Sequence, residues 1–192
     1  MSRQAFPLAG AVLLLSFVCA VTTLAQAQKP GRLGIGRAAT PDEIKALDID
    51  VNPTGAGLPE GRGTVAEGAV TYAAKCVSCH GPNGENGKSD RLVGRDGGDT
   101  FAFAKDAKLV RTIGNYWPYA STLFDYTARS MPFPQPGTLT ANEVYGLVAY
   151  LLSLNKIVPE NAVMDKTTLP KIVMPARDHF VMDNRAGGPK VK

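Results

Sequence analysis

The stretch Cys76-Val77-Ser78-Cys79-His80 constrains this chain more than any other. Residues three apart on one helical turn point the same way, so both thiols can reach one planar group from the same side. The histidine directly after them is carried beneath that group, where an imidazole nitrogen can bind a central metal. Two thiols that add across two vinyl groups of one porphyrin, with a histidine reaching its iron, make the c-type haem attachment pattern. Histidine and methionine are familiar axial ligands of electron-transfer haems.

Two rival uses of these residues are weaker. A redox-active dithiol also has C-x-x-C spacing, but in a βαβ context, and no alternating β-rich runs flank this one. A zinc site needs about four ligands. Beyond residue 27 the chain has two cysteines and two histidines, and His80 adjoins Cys79 too closely for ordinary ligand spacing.

Residues 1–27 read as a secretory signal. Arg3 gives a positive start, Leu8 to Leu24 is mostly apolar, and Ala25-Gln26-Ala27 is a small-x-small cleavage site. The alternative is a retained anchor, for which the apolar run is marginally short. Cleavage near Ala27 leaves no stable membrane anchor and places the mature chain in a bacterial periplasm. Cys76 and Cys79 are then its only cysteines, and adjacent-turn pairs make poor structural disulfides. The net charge of +4 comes with no basic run or interleaved aromatic patch, which argues against nucleic acid. Lys88, Arg91, Arg95, Lys105, Lys108 and Arg111 gather after the motif, as a solvated face or as a docking rim for an acidic partner.

The length fits one domain plus a leader and extensions. Residues 28–63 form an N-terminal arm rich in Gly and Pro, with one helix signal at Thr40-Pro41-Asp42-Glu43. Ile44 and Leu47 are expected to face the core from it. Residues 64–155 carry the helical domain. A helix from Val65 runs into the motif, with Gly68, Tyr72 and Cys76 on one face. Glycine there costs about 1 kcal/mol relative to alanine, which implies a close backbone contact. Residues 81–98 are loop. Asp99 or Thr100 caps an expected helix from Phe101, with Leu109, Val110 and Ile113 as its apolar face and Gly114 as its end. Another helix is expected near Thr122 to Arg129. Trp117 and its neighbouring tyrosines read as core aromatics, or as donors to a haem propionate. Thr140-Ala141-Asn142-Glu143 is a capping box opening a helix to about Leu154, whose Leu147 and Tyr150 are expected to meet Gly68 and Tyr72. Residues 156–192 read as an extended C-terminal tail.

For the other axial position the candidates are Met131, Met164, Met174, Met182 and His179. Met131 is best placed, in a proline-stiffened loop about fifty residues beyond His80, ample chain to cross between haem faces. Otherwise it is a packed loop residue. Two filled axial positions leave no open site for oxygen or peroxide, so the expected task is one-electron transfer, not catalysis by this chain itself.

Together, Gly68 and Tyr72, the Cys76–His80 motif, the Met131 loop and the Leu147/Tyr150 pair resemble class I cytochrome c. The resemblance covers about residues 64–155. It implies an all-α fold around one covalent haem c, bound through Cys76 and Cys79 and ligated by His80 and Met131. A narrower resemblance extends outward. Ala39 to Ile44 with Asp48 to Val51, Thr112 to Ala120, Met131-Pro132-Phe133, Glu143-Val144-Tyr145, Leu169-Pro170-Lys171 and Met174-Pro175 are similar to cytochrome subunits of sulfite and sulfane-sulfur dehydrogenases. That family implies electron uptake from a molybdenum-cofactor subunit and delivery to a downstream cytochrome c or oxidase. A single attachment motif favours the shorter, sulfite-dehydrogenase-like form. The arms would then lie along a partner, or else wrap their own domain. The alternatives are a free diffusible cytochrome c serving an oxidase or another dehydrogenase, and a haem enzyme whose distal methionine leaves during turnover.

Overall fold

The computed structural model describes residues 34–181. Two compact units divide the chain, residues 1–45 and residues 46–192. Helix α1 (Pro41–Leu47) starts in the first. The expected cap is present: the Glu43 N–H donates to Thr40 Oγ1 at 3.3 Å, and Glu43 Oε2 accepts from the Thr40 N–H at 2.8 Å. Glu43 also takes both ends of the Arg37 guanidinium. The expected apolar face is not buried: Ile44 and Leu47 are both exposed, and α1 buries no side chain. Its cap and ion pair are local contacts, so the helix signal was legible without implying a core contact.

In the second unit the order is β1 (Arg62–Thr64), α2 (Val65–Lys75), α3 (Val77–His80), α4 (Ala120–Ser130), α5 (Ala141–Leu154) and β2 (Val163–Asp165). Two 3-10 turns follow, Leu169–Lys171 and Arg177–His179. The fold is mostly helical, with one small antiparallel pair that the sequence did not announce: Gly63 faces Met164 in the β1–β2 register.

Helix α5 is the axis. Thr140 and Glu143 close the expected capping box. From Val144 to Ser153 every residue but Tyr150 is buried, because α2, α4, β1 and β2 all pack against this helix. Thr64 and Glu67 make a third capping box at the start of α2. Helices α2 and α5 cross at Gly68, where a methyl would fall on the Gly146 carbonyl and 2.9 Å from Tyr150 Cβ. Tyr72 and Tyr150 then meet at 5.3 Å between ring centroids. The expected Tyr150 contact is therefore present, and Gly146 provides the backbone approach.

A second expectation fails. The helix from Phe101 is absent: residues 101–119 are turns and irregular chain. Side-chain hydrogen bonds organise this region instead. Asn115 accepts from the Thr112 N–H at 2.7 Å and donates to the carbonyls of Asp96 and Val110. Such local bonds compete with a helical ladder. Phe101 itself lies at φ +45°, stacked between the rings of Tyr116 and His179. The C-terminal tail packs on its own domain over residues 156–181. Met164, Leu169, Met174 and Ala176 are buried, and all but Ala176 are within one core cluster with α2, α4 and α5 residues.

Candidate haem site

The attachment stretch sits where α2 breaks into α3. The Cys76 N–H still donates to the Tyr72 carbonyl at 2.9 Å, as in a helix, but Cys76 turns to φ −121°. One further turn, α3, carries Val77 to His80 and is closed by the His80 N–H to the Cys76 carbonyl at 3.0 Å. Gly81 then leaves at φ +78°, which favours glycine. A side chain there would also strike the Glu85 carbonyl. The Tyr72 hydroxyl fixes the exit by donating to the Gly81 carbonyl at 2.9 Å.

Cys76, Cys79 and His80 are thus brought together on one short element. Both thiols are free and half-buried. Burial pushes the Cys76 thiol up to about 11, with smaller opposing influences from Lys75 and Cys79, so it stands as a protonated thiol near neutrality. His80 Nδ1 lies 2.8 Å from the Asp90 carbonyl oxygen. A carbonyl can only accept, so Nδ1 carries the proton and Nε2 presents its lone pair. Such an outer hydrogen bond fixes the orientation and basicity of a metal-binding imidazole. Among the described residues no group of three His, Cys, Asp or Glu side chains is placed to hold a bare metal ion. Two free thiols on one turn and a histidine fixed as the Nδ1–H tautomer fit a haem.

Met131 stands apart in sequence, at the C-terminal cap of α4, half-buried and in extended conformation. Its N–H donates to the Thr127 carbonyl at 3.2 Å. The other ligand candidates fall elsewhere. Met164 and Met174 are buried in the core, His179 is exposed and stacks on Phe101 at 4.8 Å, and Met182 lies outside the described residues. Trp117 is half-buried and packs edge-on against Tyr126. Of the basic group after the motif, Lys88, Arg95, Lys105, Lys108 and Arg111 are exposed, whereas Arg91 is half-buried and paired with Asp96 at 2.6 Å.

Sequence reasoning missed Asp90 and Asn155. Asp90 acts through its backbone carbonyl, which no side-chain pattern reveals. Asn155 accepts from the Gly94 N–H at 3.1 Å and donates to the Leu92 carbonyl at 3.3 Å, tying the loop after the motif to the end of α5. A polar residue directly after a strongly apolar helix was its only signal.

The segment 63–151 matches the family model described as cytochrome c oxidase, cbb3-type, subunit III. A comparison with curated protein sequences returns no match. Among solved structures, a chain of the sulfane dehydrogenase SoxCD from Paracoccus pantotrophus aligns with a TM-score of 0.68 and 35% identity, over 84% of this chain and 86% of that one. At 84% of this chain, the likeness extends beyond the helical domain. With the helical core, the motif turn and these two likenesses in hand, the chain belongs to the class I cytochromes c, an electron-transfer family that binds haem c.

Proposed function

We propose that this chain is a periplasmic, monohaem electron-transfer subunit that takes electrons from a molybdenum-cofactor sulfite or sulfur dehydrogenase subunit and passes them to a downstream cytochrome c or oxidase. The single observation that carries the haem assignment is the His80 tautomer: Nδ1–H held by the Asp90 carbonyl leaves Nε2 available beside two free thiols. Cys76 and Cys79 hold the group covalently through thioethers. His80 and Met131 would bind its iron, a nitrogen and a thioether that together would favour the reduced state and a raised potential. When bound, the haem supplies a one-electron ferric/ferrous couple. The protein's part would be to hold the two ligand side chains in place and exclude water. Tyr72, packed on Tyr150 at the α2–α5 crossing, anchors the exit of the motif turn through its bond to Gly81.

The dehydrogenase assignment is supported by the SoxCD likeness, which covers 84% of this chain and so more than the helical core. A pull-down from periplasm, assayed for sulfite- or sulfane-dependent haem reduction, tests it. Copurification with a molybdenum protein and substrate-dependent reduction is the expected result. Clean isolation as a lone monomer that no such protein reduces would replace it with a diffusible shuttle.

A further inference from the structure

Phe101 is a strained residue held in place from the far end of the chain. Its φ of +45° is left-handed, a region that bulky residues occupy only where their surroundings keep them there. Its backbone makes one shared bond, from the Phe101 N–H to the Gly97 and Gly98 carbonyls at 3.0 and 3.2 Å. The ring makes the other contacts. It lies parallel to Tyr116, at 5.6 Å and 6°, and to His179, at 4.8 Å and 2°. Phe103 and Phe180 each set an edge against both Phe101 and Tyr116.

Two of these rings, His179 and Phe180, come from the exposed turn that begins at Arg177. Directly before it, Met174 and Ala176 are buried. The chain is therefore anchored as far as Ala176 and lies on the surface after it. The backbone bonds of the turn are internal, Arg177 N–H to the Met174 carbonyl and His179 N–H to the Ala176 carbonyl, both at 3.1 Å. The turn meets the 101–119 segment through its two rings and through Arg177, whose guanidinium is 5.6 Å from the Tyr119 ring centroid. Among the described residues no hydrogen bond or ion pair joins residues 177–181 to that segment. The segment itself is fastened from below, with the Ile113 N–H bonded to the Leu92 carbonyl at 3.1 Å.

We propose that residues 177–180 form a strap that closes over Phe101 and Tyr116 and opens as a unit, hinged after Ala176, while the core beneath stays folded. Aromatic pairs add only modestly to what burial supplies, and these rings lie at the surface, so the closed form is favoured without being locked. Segments with few buried contacts are the ones that open at a fraction of the global unfolding free energy. Opening uncovers the faces of Phe101 and Tyr116 and lets Phe101 leave its left-handed conformation. Closing restores both. Phe101 is thus the two-state element: strained under the strap, relaxed without it.

Amide hydrogen exchange on the haem-loaded full chain tests this, with a His179→Ala, Phe180→Ala double variant on one side of the contact and Phe101→Ala on the other. In the wild-type protein the Phe101 and His179 amides exchange at similar protection, and faster than Val148 and Leu152 in the buried stretch of α5. The double variant speeds exchange at Phe101 by about tenfold and leaves Val148 and Leu152 unchanged. Phe101→Ala speeds exchange at His179 by a similar factor, because coupling across one contact is reciprocal. Unchanged exchange at Phe101 in the double variant would overturn the proposal, and so would acceleration that spreads equally to Val148 and Leu152. Should a variant fail to accumulate, the wild-type protein in low denaturant decides. Exchange at Phe101 and His179 that hardly responds to denaturant is expected of a local opening; a response as steep as that of Val148 refutes it.

Discussion

Gly68 and Gly146 face each other backbone to backbone, and the relation is not symmetric. A methyl on Gly68 would land on the Gly146 carbonyl, whereas one on Gly146 would sit 3.0 Å from the Gly68 nitrogen, tight but adjustable. Helix propensity alone says that either change to alanine stabilises by about 1 kcal/mol. Overpacking at a backbone contact costs about 1–3 kcal/mol, sometimes more. Gly68→Ala should therefore lower stability by about 2 kcal/mol in denaturant titrations, and Gly146→Ala by less. A stabilised Gly68→Ala protein would mean that the helices do not cross here.

What the sequence disclosed follows from the range of the interactions. Capping at Thr40 and Thr140 depends on residues three apart and was legible at once. So was the cluster of Cys76, Cys79 and His80. The long-range partners were not. Gly146 carried no signal of its own, and its role shows only where α2 lies across it. The run Leu109 to Ile113 has helical spacing, yet Asn115 captures its backbone groups. The tail carries too few apolar residues to show a period, and Leu169 reaches the core through a 3-10 turn.

That tail gives the next test. Leu169 is fully buried and belongs to the same core cluster as Tyr72 and Leu152. Removing a buried leucine to alanine costs about 2–5 kcal/mol. Leu169→Ala should lower the guanidinium midpoint of the haem-loaded protein accordingly, with the haem spectrum retained. A loss under about 1 kcal/mol would mean that the tail is not part of the core.

Asp125 holds the chain just before the β1 strand. Its carboxylate accepts the N–H of buried Val51 at 2.8 Å and pairs with Arg129 on the next turn of α4. Burial opposes ionisation, but the Arg129 guanidinium and the Val51 N–H outweigh it and hold the carboxyl below its usual value. A depressed folded-state value means that the contribution is complete above the unfolded carboxylate range and fades as pH falls through the folded one. Arg129 is nearly half exposed, so screening leaves most of the effect to the Val51 bond. Asp125→Ala should cost about 1–2 kcal/mol at neutral pH and speed amide exchange at Val51. The wild-type advantage should disappear in strong acid. Equal Val51 exchange in both proteins at pH 7 would exclude the clasp.

Two methionines separate ligation from packing. Met174 is fully buried in the core, while Met131 is half-buried at the end of α4, ahead of a proline-rich turn. Met174→Ala should lose about 2–5 kcal/mol of stability, as other buried truncations do, and keep the absorption of a methionine–iron bond. Met131→Ala should do the reverse: a smaller loss of stability, disappearance of that band, a lower midpoint potential and rapid cyanide binding by the ferric protein. The contrast matters because a distal ligand could detach from any variant that merely loosens the core. Met174→Ala, the more destabilised protein, should still refuse cyanide. If it took cyanide as readily as Met131→Ala, the spectral change would report loosening of the core, and the assignment of Met131 as ligand would lose its support.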